Sequence, residues 1–170
     1  VLIARAVTQA DIGGALTSPL VLGSIQLSLM TSAIAVVVLV LLGTPAAYVL
    51  ARRNFRGRSL VDAVIDLPIV LPPVVGGLAL LVAMGRRGPI GAPLAEAGID
   101  VAFTTTAVVI AQIFVAAPFY IRAAIAGFMS VDTRLEAISA TLGARPSRTF
   151  LRVTVPLALP SLASGVVMAW

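Results

Sequence analysis

An uncharged and mostly apolar stretch at positions 20–51 limits, more than any other feature, how this chain can fold. Its centre, residues 33–42, contains only alanine, isoleucine, valine and leucine. About 20 consecutive apolar residues are enough for a helix to cross the ~30 Å hydrocarbon core of a bilayer. A buried strand of a soluble protein is much shorter than this stretch. We therefore predict a membrane-spanning helix over residues 20–51.

The same pattern recurs along the chain and defines its fold class. Residues 59–84 and 103–128 are predicted to be two further complete spans, and residues 156–170 a truncated one. Hydrophobic residues make up 59% of the sequence and charged residues 11%, against about 45–50% and about 25% in soluble domains. The expected structure is an all-α, polytopic transmembrane helical bundle that forms one domain over residues 1–170. Because the chain starts without methionine and stops inside an apolar run, we expect a fragment truncated at both ends.

Proline and glycine interrupt the second predicted span. Three prolines and two glycines fall within ten residues: Pro68, Pro72, Pro73, Gly76 and Gly77. Proline removes a backbone hydrogen bond and clashes with the preceding helical turn, so a straight helix is not expected here. A break at membrane depth is tolerated where protein or a water-filled path covers it. These five residues are therefore candidates for a hinge on a translocation pathway; a kink that serves packing alone is the alternative.

Charged residues also occur within the predicted spans. Asp62 and Asp66 lie four residues apart at the start of the second span, and Arg58 lies four residues before Asp62. We interpret the two acids as pairing at the membrane interface, with a proton relay as the alternative. Arg122 lies near the end of the third span, from which its long side chain is expected to reach the interface.

The longest polar segment of the chain is residues 132–155. Asp132 is a predicted helix N-cap, and Glu136 follows in the first turn, where the helix dipole favours an acid. Gly143 is a predicted helix stop, with Pro146 three residues later. The pattern predicts a short amphipathic helix, a turn and a second helix that re-enters the apolar region. A short amphipathic helix that simply lies on the lipid surface is the alternative.

The distribution of arginine predicts the orientation of the spans. All twelve basic residues are arginine, and eight of them lie in segments 52–58 and 132–155. Loops on the other side carry three, namely Arg5, Arg86 and Arg87. Because basic loops remain in the cytoplasm, we place segments 52–58 and 132–155 there. Nucleic-acid binding is disfavoured, because the arginines lie between apolar spans without interleaved aromatic residues.

Several kinds of chemistry are excluded by residue types that the sequence lacks. Cysteine and histidine are both absent, which excludes a disulfide framework, a thiol nucleophile, a histidine base and the common zinc sites. Lysine is also absent, and no GxxxxGK[ST] phosphate-binding loop occurs, so the chain has no ATP site of its own. We predict no catalytic residue and no metal ligand.

The polar segment resembles the "EAA" loop of ABC importer permeases. In that family, nine residues separate a glycine from an Ile-x-Leu-Pro sequence. Here nine residues separate Gly143 from the Val-Thr-Val-Pro sequence at positions 153–156, and Glu136 lies one residue before the position of the family's acid. The resemblance implies a coupling helix that docks in a cleft of an ATP-binding subunit. Its contact residues would be Leu135, Glu136, Ala140, Thr141, Leu142, Gly143 and Ala144.

Other segments resemble the permeases of molybdate importers. They are LPIVLPPVVGG at 67–77, GRRG at 85–88, residues 104–112 and TLGA at 141–144. The resemblance implies the type I ABC importer permease fold and ATP-driven alternating access. It also implies a homodimer in the bacterial plasma (inner) membrane, surrounded by lipid. Its implied partners are cytoplasmic ABC ATPase subunits, which would bind ATP and Mg²⁺, and a periplasmic or lipid-anchored oxyanion-binding protein; no cofactor is expected in this chain.

Alternative functions remain open at this stage. Sulfate and tungstate permeases share much of the same pattern, so the oxyanion is less certain than the family. An ATPase-independent ion or proton channel that uses Asp62 and Asp66 is the alternative from another class. A structural membrane subunit is disfavoured by the broken second span, and a membrane enzyme by the lack of histidine and cysteine.

Overall fold

The computed structural model describes residues 18–170, and every regular element within that range is a helix. Arg5, counted above among the arginines of the outer side, lies outside the described residues. Seven helices, α1 to α7, are distinguished below within residues 18–170. Three of them are long and apolar enough to cross a membrane, and a bent pair of shorter helices would make a fourth crossing if it forms one span.

Helix α1 (Pro19–Arg52) is a continuous rod of 34 residues. It begins at Ser18, whose side chain accepts a hydrogen bond from the Val21 amide, with Pro19 in the first turn. A π-helical turn at Leu39–Gly43 precedes Pro45. Such a turn loosens the regular bonding pattern at the point where proline lacks its donor, so the helix continues. The helix covers the interval predicted at 20–51.

The interval predicted as a single span at 59–84 is divided between two helices. Helix α2 (Arg58–Val70) and helix α3 (Pro73–Met84) are bent by 119° relative to each other. The break is at Leu71 and Pro72, whose backbones are extended, with ψ of 133° and 137°. Consecutive prolines at 72 and 73 cannot supply the amide donors that a continuous helix needs.

A short helix and a long helix follow the bent pair. Helix α4 (Gly91–Glu96) lies in the connection, and helix α5 (Thr105–Ser130) is the third predicted span, displaced by two residues from 103–128. Thr104 caps α5, since its side chain accepts a hydrogen bond from the Ala107 amide.

The polar segment forms a short helix and the beginning of a long one. Helix α6 (Thr133–Thr141) ends before a turn, and helix α7 (Pro146–Ala169) starts ten residues earlier than the predicted span at 156–170. The expected truncated span is therefore part of a 24-residue helix. The helix passes Pro156 because a second π-helical turn, Phe150–Thr154, lies directly before it.

Helix α5 lies at the centre of the bundle and packs against α7, α1 and α2. Tyr120, Ala124 and Phe128 on α5 are fully buried. Small residues allow α7 to approach closely: a Cβ on Gly127 would lie 2.5 Å from the Ser161 Cβ. Close contact through small residues is how helices associate in lipid, where no hydrophobic effect drives them together.

Candidate functional site

Helix α6 has the two ends that the sequence predicts. Asp132 is its N-cap, and its side chain accepts a hydrogen bond from the Arg134 amide. Gly143 follows the helix with a φ of +78°, a left-handed conformation that side chains with a Cβ rarely adopt. The chain therefore turns sharply at Gly143 and enters α7 at Pro146.

Glu136 anchors α6 to the rest of the bundle. Its carboxylate accepts hydrogen bonds from the Arg52 guanidinium at 2.8 and 3.2 Å, from the Tyr48 hydroxyl at 3.2 Å and from the Thr154 hydroxyl at 3.0 Å. The Arg52 and Glu136 side chains are only 14% and 18% exposed. Arg52 also donates to the backbone carbonyl of Val131, at the turn between α5 and α6. One carboxylate thus connects α6 to both α1 and α7.

Two further contacts support this anchor. The hydroxyls of Ser139 on α6 and Thr149 on α7 lie 2.9 Å apart and share a hydrogen bond. Beneath the ion pair, the rings of Tyr48, Phe128 and Phe150 pack together with centroids 4.8 to 6.0 Å apart. Such edge and tilted ring contacts add to the energy of burial. Helix α6 is therefore held by polar contacts, and the aromatic rings join the helices α1, α5 and α7 that lie around it.

The outer side of α6 is apolar and has no partner within residues 18–170. Leu135, Ile138 and Leu142 are 42%, 55% and 81% exposed. Of the seven predicted contact residues, five are exposed, Ala144 is half-buried and Glu136 points into the bundle. Ile138 was not among the predicted residues, although its spacing from Leu135 and Leu142 (three and four residues) would have placed it on the same face.

Arg122 binds both acids of the second span, a pairing that was not predicted from the sequence. Its guanidinium lies 2.8 Å from Asp62 and 2.6 Å from Asp66, and a second hydrogen bond of 2.9 Å makes the Asp66 contact bidentate. Arg58, the expected partner of Asp62, is farther away at 3.7 Å. The pairing satisfies three charges that would otherwise face lipid, and it connects α5 to α2.

The five candidate hinge residues have different surroundings. Pro68 lies inside α2 and is half-buried, whereas Pro72 and Pro73 are exposed at the 119° bend. Gly76 is buried against the Phe114 ring, which a Cβ would approach to 3.3 Å. Gly77 is exposed and lines an apolar groove of about 520 Å³. The structure therefore brings Pro72, Pro73 and Gly77 to the surface and buries Gly76.

The groove next to Gly77 lies between helices α1, α3 and α5. Its lining residues are almost all apolar: Leu27, Leu80, Leu81, Met84, Phe103 and Val108. No arginine lines it, so it offers no charge to hold an anion.

On the side opposite to segment 52–58, Arg86 and Asp100 close the connection between α3 and α5. The guanidinium and carboxylate form two parallel hydrogen bonds of 2.8 and 2.7 Å. These hydrogen bonds from Arg86 hold the pKa of Asp100 below its usual value. Both side chains are largely exposed, so the pair adds little stability.

Within residues 18–170, no group of three or more acidic residues is placed to hold a metal ion. Four of the six acids in this range, Asp62, Asp66, Asp100 and Glu136, are instead used in ion pairs with Arg52, Arg86 and Arg122. Two of these ion pairs, those of Arg52 and Arg122, connect one helix to another.

The long apolar helices and the bent pair together define a multi-pass helical membrane protein. The chain belongs to the family of binding-protein-dependent transport system inner membrane components, which it matches over residues 40–170.

Relatives with curated names agree with this family. The chain is 43% identical to the molybdate/tungstate transport system permease protein WtpB of Pyrococcus abyssi, over 89% of its own length and 56% of the relative's. It is 46% identical to the molybdenum transport system permease protein ModB of Mycobacterium tuberculosis, over 91% of this chain and 59% of the relative. For ModB of Escherichia coli K12 the identity is 42%, over 86% and 65%. The chain thus spans somewhat more than half the length of the relatives it matches.

Solved structures agree on the fold. A bacterial ABC transporter involved in the import of the polysaccharide alginate superimposes with a TM-score of 0.76 at 19% identity, over 96% of this chain and 62% of that one. A bacterial alginate ABC transporter in complex with a periplasmic protein that carries an alginate pentasaccharide gives a TM-score of 0.75 at 18% identity, over 95% of this chain and 59% of that one. The fold is therefore that of an ABC importer permease, as predicted.

Proposed function

We propose that this chain is part of the membrane-spanning subunit of an ATP-driven importer for an oxyanion, with molybdate as the first candidate. The names of relatives at 42–46% identity support molybdate, and the Pyrococcus name also supports tungstate. Sulfate is the remaining alternative. A bacterial plasma membrane, with segments 52–58 and 132–155 in the cytoplasm, is the matching location.

The observation that carries the proposal is the anchoring of α6 by Glu136. Because the acid is bonded to Arg52 and Thr154, a push on α6 reaches α1 and α7 directly. At the same time the apolar outer residues Leu135, Ile138 and Leu142 remain free to enter a cleft of a partner. We assign that cleft to a cytoplasmic ABC ATPase subunit, which would also supply the ATP and Mg²⁺ sites that this chain lacks.

The transport cycle follows from this connection. ATP binding brings two ATPase subunits together, and each moves the α6 helix of one permease in a homodimer. The helices then re-orient, so that the pathway opens to one side of the membrane at a time. The bend at Leu71–Pro72 is a candidate hinge for that movement, since it already interrupts the helical hydrogen bonding.

Selection of the oxyanion is assigned to a periplasmic or lipid-anchored binding protein. Arg122 is the cation farthest from a helix end within the described spans, and Asp62 and Asp66 neutralise it. Every arginine on the described helices α1, α3 and α5 has a carboxylate partner. This part of the permease is therefore suited to letting an anion pass rather than to binding it tightly. The same pairing argues against a proton channel, since a relay needs a carboxylate that can exchange its proton.

Uptake by the full-length permease, assembled with its ATPase in liposomes, tests the proposal. A double variant L135A/L142A on α6 is expected to lose ATPase co-purification and ATP-dependent uptake of radiolabelled molybdate. The matched control is L20A/L22A, which removes two exposed leucines at the start of α1 and should retain both activities. Uptake that continues without ATP would instead support a channel, and uptake of sulfate in preference to molybdate would change the assigned substrate.

A further inference from the structure

Three arginines form a stripe at the start of α7, from its N-cap to its second turn. Arg145, Arg148 and Arg152 are spaced by three and four residues, which places them on one face of the helix. All three side chains are exposed, and none forms an ion pair with a residue between 18 and 170. Arg52, Arg58, Arg86 and Arg122, by contrast, each have a carboxylate partner.

The acids closest in sequence are not available to this stripe. Glu136 is bonded to Arg52, Tyr48 and Thr154, and Asp132 caps α6. The stripe lines a concave site of about 490 Å³ together with Gly143, Ser147 and Leu151, and no acid lines that site. No side chain caps the N-terminus of α7 at Arg145 either. The positive end of the helix dipole therefore adds to three unneutralised guanidinium groups.

The depth of the stripe indicates which anion it meets. Arg152 is the last charged residue before an uncharged stretch that reaches residue 170. At a rise of about 1.5 Å per residue, Arg148 lies about 6 Å and Arg145 about 10 Å farther out than Arg152. The headgroup layer on each side of a bilayer is roughly 5–7 Å thick. We take Arg152 as the edge of the hydrocarbon core, and this placement puts Arg152 and Arg148 at the level of the lipid phosphates.

Apolar surface continues from the stripe towards the hydrocarbon. Leu151, within the concave site, is 64% exposed, and Leu159, seven residues or about two turns beyond Arg152, is 57% exposed. A phospholipid has this combination of groups, with a phosphate diester next to an acyl chain. A free phosphate would make no contact with the exposed leucines. An acidic protein surface could bind the arginines without covering leucines at this depth.

We propose that Arg145, Arg148 and Arg152, with Leu151, form a binding site for the phosphate headgroup of an anionic phospholipid. The arginines bind the phosphate diester, and the acyl chain lies along Leu151 and Leu159. The bound lipid neutralises the entrance of α7 beside the turn at Gly143, so it holds α7 at a fixed depth next to α6. This role concerns the lipid and does not depend on which solute is transported.

The test measures lipid retained by the full-length permease, with native mass spectrometry during titration with dioleoyl phosphatidylglycerol. The variant R148Q/R152Q is expected to bind this lipid about 25-fold more weakly, since each arginine near an anionic lipid contributes about fivefold. The matched control R53Q/R56Q also removes two exposed arginines without ion pairs, from the loop after α1, and should change the affinity less than twofold. R148K/R152K keeps the charge and should retain most of the binding.

Several outcomes would overturn the proposal. An equal loss in R53Q/R56Q would mean diffuse attraction of charge, and no loss in R148Q/R152Q would mean no site. Displacement of the lipid by millimolar inorganic phosphate would identify a soluble-anion site, and release of the lipid when the ATPase is added would identify a protein contact. If R148Q/R152Q does not assemble, R145Q outside the helix should still lower the affinity about fivefold.

Discussion

The Arg52 guanidinium binds the Glu136 carboxylate at 2.8 Å and joins the end of α1 to the first turn of α6, across 84 residues of sequence. The carboxylate also accepts from Tyr48 and Thr154, so its hydrogen-bonding capacity is used inside the chain. Sequence reasoning assigned Glu136 to contact with an ATPase. In the structure Glu136 supports α6 from inside the bundle, and its contact with an ATPase stays a prediction.

Replacing Glu136 by glutamine should destabilise the permease. Removal of one partner of a mostly buried ion pair leaves the other charge uncompensated and costs about 3–5 kcal/mol. The melting temperature of E136Q in detergent should therefore fall clearly. E96Q, which changes an exposed acid of α4 without an ion pair, should not shift it.

A double-mutant cycle separates the pair from other effects of the substitution. If Arg52 and Glu136 stabilise the protein mainly through their contact with each other, R52Q/E136Q should be no less stable than the less stable of the two single variants. Strictly additive losses in the cycle would contradict the assigned pairing.

Substituting Gly143 by valine should impair transport while leaving membrane insertion intact. The left-handed φ of +78° costs a residue with a Cβ about 1–2 kcal/mol, and more when it is β-branched, so the turn between α6 and α7 would shift. G143N should retain more activity, because asparagine adopts this conformation more readily. Uptake and surface expression are the measurements. G23V, at a glycine with open space around it and no left-handed φ, is the control, and normal uptake by G143V would refute the role of the turn.

Removing the prolines at the bend should straighten the second span. Spin labels at L60C and V82C, on residues that are each 70% exposed, can be introduced directly because the chain has no cysteine. A straight helix would separate these positions by about 33 Å, and the 119° bend brings them to roughly 20 Å or less. The distance should increase in P72A/P73A and remain unchanged in P68A, since Pro68 lies within intact α2. An unchanged distance in P72A/P73A would show that neighbouring helices, rather than the prolines, impose the bend.

Enlarging Gly127 should separate α5 from α7, and a compensating change should restore the contact. A Cβ at this position would lie 2.5 Å from the Ser161 Cβ, so G127A is expected to cost about 1–3 kcal/mol by overpacking. The double variant G127A/S161G removes the atoms in conflict and should recover most of the melting temperature. If G127A alone is as stable as the original protein, the two helices are not held at the separation described here.

Uptake is predicted to depend on Pro72 more than assembly does. P72A weakens the interruption between α2 and α3, which is the candidate hinge. The ratio of ATP-dependent uptake to the amount of assembled complex should therefore fall in this variant. Parallel loss of uptake and assembly would indicate that the bend serves packing alone.

Local features of α6 and of the second span were predictable from the sequence. The N-cap at Asp132, the left-handed Gly143 and the interruption around Pro72 are all present in the structure. Each depends on the chemistry of a few neighbouring residues: a side-chain acceptor, a missing Cβ or a missing amide donor. The second helix after the turn was predicted as well, but its π-helical turn before Pro156 was not, because such a turn has no clear sequence signal.

The apolar stretches by themselves determined that this chain is a bundle of membrane helices, because burial of backbone polar groups in lipid leaves few other structures. Only the tertiary structure decided which charges meet. Arg122 forms ion pairs with Asp62 and Asp66, 60 and 56 residues away, and Glu136 forms one with Arg52. Such pairs depend on how the helices are packed and rotated, which is set by contacts such as Gly127 with Ser161 and not by local sequence.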